Sequence, residues 1–180
     1  MIVYIFGSPG SGKTFISNYI RNSKNYQYIS CGDIYREFSN INDERVNKLK
    51  TGEIKLGDLI IGRILETIQD LNGNILIDGL KPQQLSRFQS SIGRIDLIIE
   101  LVCKKEIAYE RMISRERDNE TPEVINIRLN KFEDSYNFFI NIINKYCKKY
   151  GTSYLKINSN ENSDNILNKI DKQLWNIDYL

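Results

Sequence analysis

The sequence predicts a three-layer α/β/α fold, a five-stranded parallel sheet flanked by helices, and three observations carry that prediction. Short apolar runs alternate with longer stretches of helical periodicity, as parallel strands joined by helical crossovers require. The first apolar run breaks into a glycine-rich loop that opens a helix, the usual edge of a βαβ unit. No stretch of the 180 residues is rich enough in Pro, Gly or Ser to be an interdomain linker, and no repeat is present, so a single domain over 1–180 is expected.

Taken in order, Ile2 to Phe6 is a buried strand, and a helix follows from about Gly12 to Asn22. Tyr26 to Ser30 is a weaker strand, followed by short helical pieces near Asp33 and Asp43 and a longer helix over Leu56 to Leu71. Asn74 to Asp78, bracketed by Gly73 and Gly79, and Asp96 to Val102 read as central strands, with a helix over Lys104 to Ser114 behind them. Residues 122–150 form the longest helix. Thr121 can cap it, Pro122 suits its first position, Glu123 favours the positive end of its dipole, and Gly151 can close it. Its apolar positions, among them Ile125, Leu129, Phe132, Tyr136, Phe139 and Ile143, recur at threes and fours, so one side faces the core. Tyr154 to Ile157 is the last strand and Asp164 to Ile177 the last helix.

Composition narrows the chemistry. Lys and Arg exceed Asp and Glu by only 25 to 23, a net charge of +2, so neither nucleic acid nor a membrane surface is the expected partner. Cys31, Cys103 and Cys147 are far apart and lack C-x-x-C spacing, which predicts reduced thiols in the cytoplasm. No apolar run approaches bilayer length and the N-terminus lacks an export signal's pattern. The chain contains no His, which excludes His-dependent triads and most catalytic zinc sites. Any chemistry must use Asp, Glu, Lys, Arg and a borrowed cation.

Gly7, Ser8, Pro9, Gly10, Ser11, Gly12, Lys13 and Thr14 fit G-x-x-x-x-G-K-[ST] between a strand and a helix, the context that confirms a phosphate-binding loop. Glycines let successive N–H groups curl inward, and the helix that follows adds its own free N–H groups and positive dipole end. Lys13 would reach the outer phosphates of a nucleoside triphosphate, and the Thr14 hydroxyl would ligate Mg²⁺. A guanine-reading N-K-x-D is missing after the strand at Asp96 to Val102, which ends in Cys103 and Lys104, so a GTPase is disfavoured. Motors, helicases and small-molecule kinases share the loop, so the rest of the chain must decide.

Three further stretches decide. "YISCGDIYREF", "LKTGEIKLGDLI" and "ILIDGLKP", with the loop before them and "ERMISRERDNETPEVINIRL" after, resemble the adenylate kinase family of nucleoside monophosphate kinases, in the same order over nearly the whole chain. The resemblance implies a P-loop kinase fold with a monophosphate-binding insertion at about 30–60 and a minimal lid at about 114–121. It implies that Ser30, Cys31, Gly32, Asp33 and Arg36 close over the acceptor, with Arg36 clamping its phosphate. A planar guanidinium suits a phosphate dianion on physical grounds also; outside this motif Arg36 would read as a surface partner of Asp33 or Glu37. Gly52 and Ile54 match the segment that lines the acceptor-base pocket, and Gly52 is also a good helix stop. Asp78, at a strand's C-terminal end before Gly79, would hold Mg²⁺ through water.

Here the chain leaves the family pattern. Where relatives carry D-G-F-P-R and a later Gln, it has Asp78, Gly79, Leu80, Lys81, Pro82, Gln83 and Gln84. Lys81 is the candidate replacement for the missing arginine, and Gln83 or Gln84 for the base-reading amide. Arg111, Arg115, Arg117 and Arg128 are the cations expected on the developing charge, with either Arg115 or Arg117 matching the family's arginine that pairs with Arg128. Asn158 and Ser159, after the last strand, fall where the family's backbone touches the ATP adenine, or in a plain loop.

The expected activity is transfer of the γ-phosphoryl of ATP, with Mg²⁺, to a nucleoside or deoxynucleoside monophosphate, AMP first, by a monomer. A P-loop kinase of a non-nucleotide small molecule and a non-catalytic ATP-binding regulator are the alternatives.

Overall fold

Alternation along the strands sorts their side chains onto two faces. Val3 and Ile5 leave one face of the first strand and Tyr4 and Phe6 the other, and each set joins a separate core. The computed structural model describes residues 1–40, 55–68, 73–115 and 120–178. Within them run β1 (Ile2–Gly7), β2 (Gln27–Ser30), β3 (Ile75–Asp78), β4 (Leu97–Val102) and β5 (Ser153–Asn158), all parallel, in the order β2-β3-β1-β4-β5. Seven α-helices are described: α1 (Lys13–Lys24), α2 (Cys31–Asn40), α3 (Leu56–Thr67), α4 (Leu85–Ser91), α5 (Lys105–Ile113), α6 (Pro122–Tyr150) and α7 (Ser163–Asp178).

On one face Val3, Ile5, Leu76, Leu97 and Ile99 pack against Ile16 and Ile20 of α1 and Ile166, Ile170 and Leu174 of α7. On the other, Tyr4, Phe6, Ile75, Ile77 and Ile98 meet α2, α3, α4 and α6. Both faces of the central strands are therefore covered, as their unbroken apolar runs predict. The chain leaves β1 toward β2 on one side and leaves its neighbour β4 toward β5 on the other, and the crevice at the C-terminal ends of these two strands is where such sheets bind ligands.

The expected ends of α6 are all present. Thr121 Oγ1 accepts from Val124 N at 3.4 Å, Pro122 is the first helical residue, and left-handed Gly151 (φ 67°) donates its N–H to Cys147 O at 2.9 Å.

Two elements differ from expectation. The segment around Asp33 is a full helix that starts at Cys31 directly after β2, with Ser30 Oγ accepting from Asp33 N at 3.1 Å in place of a loop. Residues 82–91, unassigned from the sequence, form a 3₁₀ turn (Pro82–Gln84) and then α4. Only Leu85 and Phe88 anchor α4, too few apolar positions to establish a period. The helical piece near Asp43 and the last residues of the expected helix to Leu71 lie outside the described residues.

A buried acid also sits beside Phe6 in the β1–β4 register. Glu100 of β4 is 1% exposed, accepting from Tyr136 Oη of α6 at 2.6 Å and from Tyr154 Oη of β5, with Lys156 Nζ at 3.9 Å. Among the described residues no helix is long and apolar enough to cross a membrane.

Candidate active site

The loop Gly7–Gly12 joins β1 to α1, and its last residue caps the helix without a side chain: Gly12 sits at φ 91° and makes no side-chain cap bond. The first N–H groups of α1 are thus left for an anion. Ser8 and Ser11 bury hydroxyls that have no hydrogen-bond partner, so the loop's interior holds polar groups that a phosphate would satisfy. Lys13 Nζ lies across the loop, donating to Gly7 O at 2.9 Å and Ser8 O at 2.8 Å. Burial pushes its ammonium below the usual lysine range; the charge of Asp78 draws it back up, while Arg115 and Arg128 push it further down. One half-buried lysine therefore feels a carboxylate from β3 and two guanidiniums from the α5–α6 side of the crevice.

Asp78 pairs with Ile5 in the β1–β3 register, which sets its 6%-exposed carboxylate beside the loop, with Tyr28 Oη at 3.4 Å from Oδ2. Burial and the neighbouring Asp78 charge push the Tyr28 phenol up to about 12. Thr14 is exposed in the first turn of α1. A hydroxyl and a carboxylate are the hard oxygen donors that Mg²⁺ takes beside phosphate oxygens. Among the described residues no group of three or more carboxylates or thiols gathers as a metal cage.

The arginines divide between two places. Glu120, missed in the sequence, receives Arg115 through two bonds, Nε to Oε2 at 2.9 Å and the second nitrogen to Oε1 at 2.7 Å, and also Arg128. Burial alone would raise its carboxyl; the bonds and charges of Arg115 and Arg128 outweigh that and hold it below the usual carboxylate range. Arg115 is thus joined to Arg128 through one carboxylate, and Arg117 lies outside the described residues.

Arg111, expected with these cations, instead lines a slot of about 370 Å³ beside the loop. Its guanidinium donates to Ser159 O at 3.0 Å and lies 3.6 Å from Cys103 Sγ, which holds it against the β4–α5 and β5–α7 turns. Phe15, Leu101 and Glu161 line the same slot. Ser159 lies in its wall, whereas the Asn158 carboxamide is occupied by its own turn, accepting from Asn160 N at 3.1 Å and Nδ2 at 2.7 Å.

On the acceptor side, Gly79 approaches the start of α2, so that a Cβ built there would lie 3.7 Å from Gly32 N. Tyr4 Oη donates to Leu80 O at 2.7 Å and fixes the turn after Asp78. Cys31 is buried, which drives its thiol up to about 12 and suits a packing role. Arg36 is exposed and ion-paired with Asp33, the surface partnership left open by the sequence. Lys81 and Gln83 are exposed, while Gln84 is half-buried against Gly57 of α3. Arg87, also missed, reaches from α4 to Asp58 of α3. Gly52 and Ile54 lie outside the described residues, as does part of the expected insertion and lid.

Sheet order, phosphate loop and the carboxylate beside it define a P-loop α/β protein. A family model described as an AAA domain matches residues 6–126. The chain is 30% identical to an adenylate kinase of Wigglesworthia glossinidia brevipalpis over 135 residues, 72% of this chain and 63% of that protein. It is 25% identical to an adenylate kinase of Wolbachia pipientis subsp. Culex pipiens over 211 residues, covering 97% of this chain and 98% of that one. It is also 26% identical to UMP-CMP kinase 1 of Oryza sativa subsp. japonica over 142 residues, 73% of this chain and 58% of that one. The chain belongs to the family that the AAA-domain model describes, and its similarity to adenylate kinases bears out the resemblance read from its motifs. The matched part spans 63% of the Wigglesworthia protein and 59% of an adenylate kinase from Wolbachia pipientis wMel.

Proposed function

We propose that this chain is a Mg²⁺-dependent nucleoside monophosphate kinase that moves the γ-phosphoryl of ATP to a nucleoside or deoxynucleoside monophosphate, with AMP the first acceptor to test. The observation that carries the reading is the phosphate loop, where Lys13 Nζ lies across Gly7 O and Ser8 O at 2.9 and 2.8 Å beside the unpartnered buried hydroxyls of Ser8 and Ser11. Kinase relatives named for both adenylate and UMP-CMP substrates support the reaction class and leave the acceptor base to experiment.

The loop amides and Lys13 bind the β- and γ-phosphates, and Lys13 exchanges its bonds to Gly7 O and Ser8 O for bonds to phosphate oxygens. Thr14 and Asp78 would hold Mg²⁺, which would supply positive charge against the phosphate oxygens. The acceptor phosphate is already an anionic nucleophile, so no base is needed. Arg36 holds it after leaving Asp33, an exposed pair worth at most about 1 kcal/mol. Arg115 and Arg128, held by Glu120, stabilise the charge that spreads over the migrating group, an effect on the order of a thousandfold for one well-placed arginine. A minimal lid at about 114–121 excludes water, which would otherwise take the phosphoryl group. The slot beside Arg111 takes the donor base. The three cysteines are free thiols, which fits a cytoplasmic enzyme.

The test is ADP release from ATP and Mg²⁺ across a panel of monophosphates. AMP or another monophosphate should raise turnover well above ATP alone; if none does, the reading fails.

A further inference from the structure

Arg128 lies near the start of the 29-residue helix α6, whose packing around it is apolar. Ile125 and Leu129 pack with Ala108 and Met112 of α5, and Phe132 lies against Phe6 with ring centroids 5.5 Å apart. Such contacts set a distance between elements but hold no particular rotation, because burial and dispersion are non-directional. Two turns beyond Arg128, on the stripe that runs through Phe132, Tyr136 Oη donates to Glu100 Oε1 at 2.6 Å. Glu100 stands opposite Phe6 in the β1–β4 register, next to the Gly7–Leu101 pair where the phosphate loop begins. The loop's root follows β4 closely there, since a Cβ on Gly7 would lie 2.6 Å from Leu101 O. An acid at a 1%-exposed strand position is costly to bury unless it is bonded, and an apolar pair in its place would pack as well. What a carboxylate and a phenol add is direction.

We infer that Glu100 is a positioning residue for phosphoryl transfer: through Tyr136 it fixes the height and rotation of α6 over the ends of β1 and β4, and so the place where Arg128 meets the migrating group. The inference rests on the proposed activity and on the part of Arg128 in it. The same carboxylate accepts from Tyr154 Oη of β5 and lies 3.9 Å from Lys156 Nζ, which donates to Tyr136 Oη at 3.2 Å. Tyr154 and Lys156 thus hold the acid from β5, and of its partners Tyr136 is the one on the helix that carries Arg128. Without the Tyr136 bond α6 is free to turn on its apolar seat, and a displacement of about 1 Å at a reacting group costs on the order of a hundredfold in rate. The phosphate loop is built on β1 and α1, so ATP binding does not depend on that bond.

The experiment is steady-state turnover of the whole chain with ATP, Mg²⁺ and a panel of monophosphates, beside calorimetric ATP binding and urea unfolding. Tyr136→Phe and Tyr154→Phe each remove one phenol bond from the same buried carboxylate, so a role in folding alone would move their turnover equally. Tyr136→Phe should lower kcat by about tenfold or more with ATP affinity within about twofold of the wild type, which also certifies its fold. Tyr154→Phe should keep kcat within about threefold at a comparable loss of urea midpoint. In an Arg128→Ala background, already slow, Tyr136→Phe should lower kcat by no more than about twofold further, because the residue through which it acts is gone. Equal kcat in the two phenol variants, or a Tyr136→Phe loss as large without Arg128 as with it, overturns the positioning role and leaves the kinase reading standing. A wild type that no monophosphate stimulates overturns both, since Arg128 then has no migrating group to meet.

Discussion

Gly10→Ala separates two costs that a glycine can hide. Gly10 lies in the phosphate loop at φ 76°, and a Cβ there would collide with Ala108 O of α5, with the Ala108 carbonyl carbon at 2.9 Å and its Cα at 3.0 Å. Ala108 is fully buried between α5 and α6, so its backbone has nowhere to retreat. Left-handed backbone costs a side-chain-bearing residue about 1–2 kcal/mol, and overpacking adds about 1–3 kcal/mol, for a total of roughly 2–5 kcal/mol. Gly151→Ala is the control: φ is 67°, nothing lies within 4 Å of the added Cβ, and only the backbone cost of about 1–2 kcal/mol applies. Thermal unfolding should therefore place Gly10→Ala several degrees below Gly151→Ala, at roughly 2–4 °C per kcal/mol for a chain of this size. Because the clash pushes the loop from the helix that carries Arg111, Gly10→Ala should also lose ATP binding, which Gly151→Ala keeps. Equal melting temperatures for the two variants would refute the close approach on which the argument depends.

Other consequences can be measured separately. Glu120 is held below its ordinary value of 4.5, so its pairing stabilises the fold in full above about that pH and is lost as pH falls through the lowered folded value. Wild-type urea midpoints should accordingly drop in that acid window more than those of Glu120→Gln; parallel curves would contradict the clamp. Glu120→Gln should also lower kcat with little change in the ATP KM, because it loosens Arg115 and Arg128 rather than the loop. Tyr136→Phe removes one of the two phenol bonds to buried Glu100 and should cost roughly 1.5–3 kcal/mol in urea unfolding. Arg36→Ala should raise the acceptor KM more than the ATP KM while leaving stability within about 1 kcal/mol, since its pair with Asp33 is exposed; equal effects on both substrates would remove it from the acceptor site.

Local pattern was enough for much of this protein. The alternation in IVYIF assigns Val3 and Ile5 to one core and Tyr4 and Phe6 to the other, and Thr121, Pro122 and Gly151 mark the ends of α6 because caps are made by neighbours in sequence. The loop from Gly7 to Thr14 is legible for the same reason: its strand, turn and helix are contiguous. Spacing could not place Arg111, because four residues on one helix face fixes its relation to Arg115 but not which turn of the fold receives it. Ser159, 48 residues away, takes its guanidinium toward the slot, while Glu120 takes Arg115 toward Arg128.

The same holds for Glu100, an improbable strand residue until Tyr136 and Tyr154, 36 and 54 residues further on, arrive to bond it. Periodicity, capping and the phosphate loop depend on backbone geometry over a few residues, so the sequence by itself determined the fold class, the ends of α6 and the strand–loop–helix turn at Gly7–Thr14. Where a long side chain points depends on which distant carbonyl or carboxylate meets it and on which crevice is left open. Only the tertiary structure decided that Arg111 turns to the slot that Phe15 and Glu161 also line, while Arg115 and Arg128 meet on Glu120.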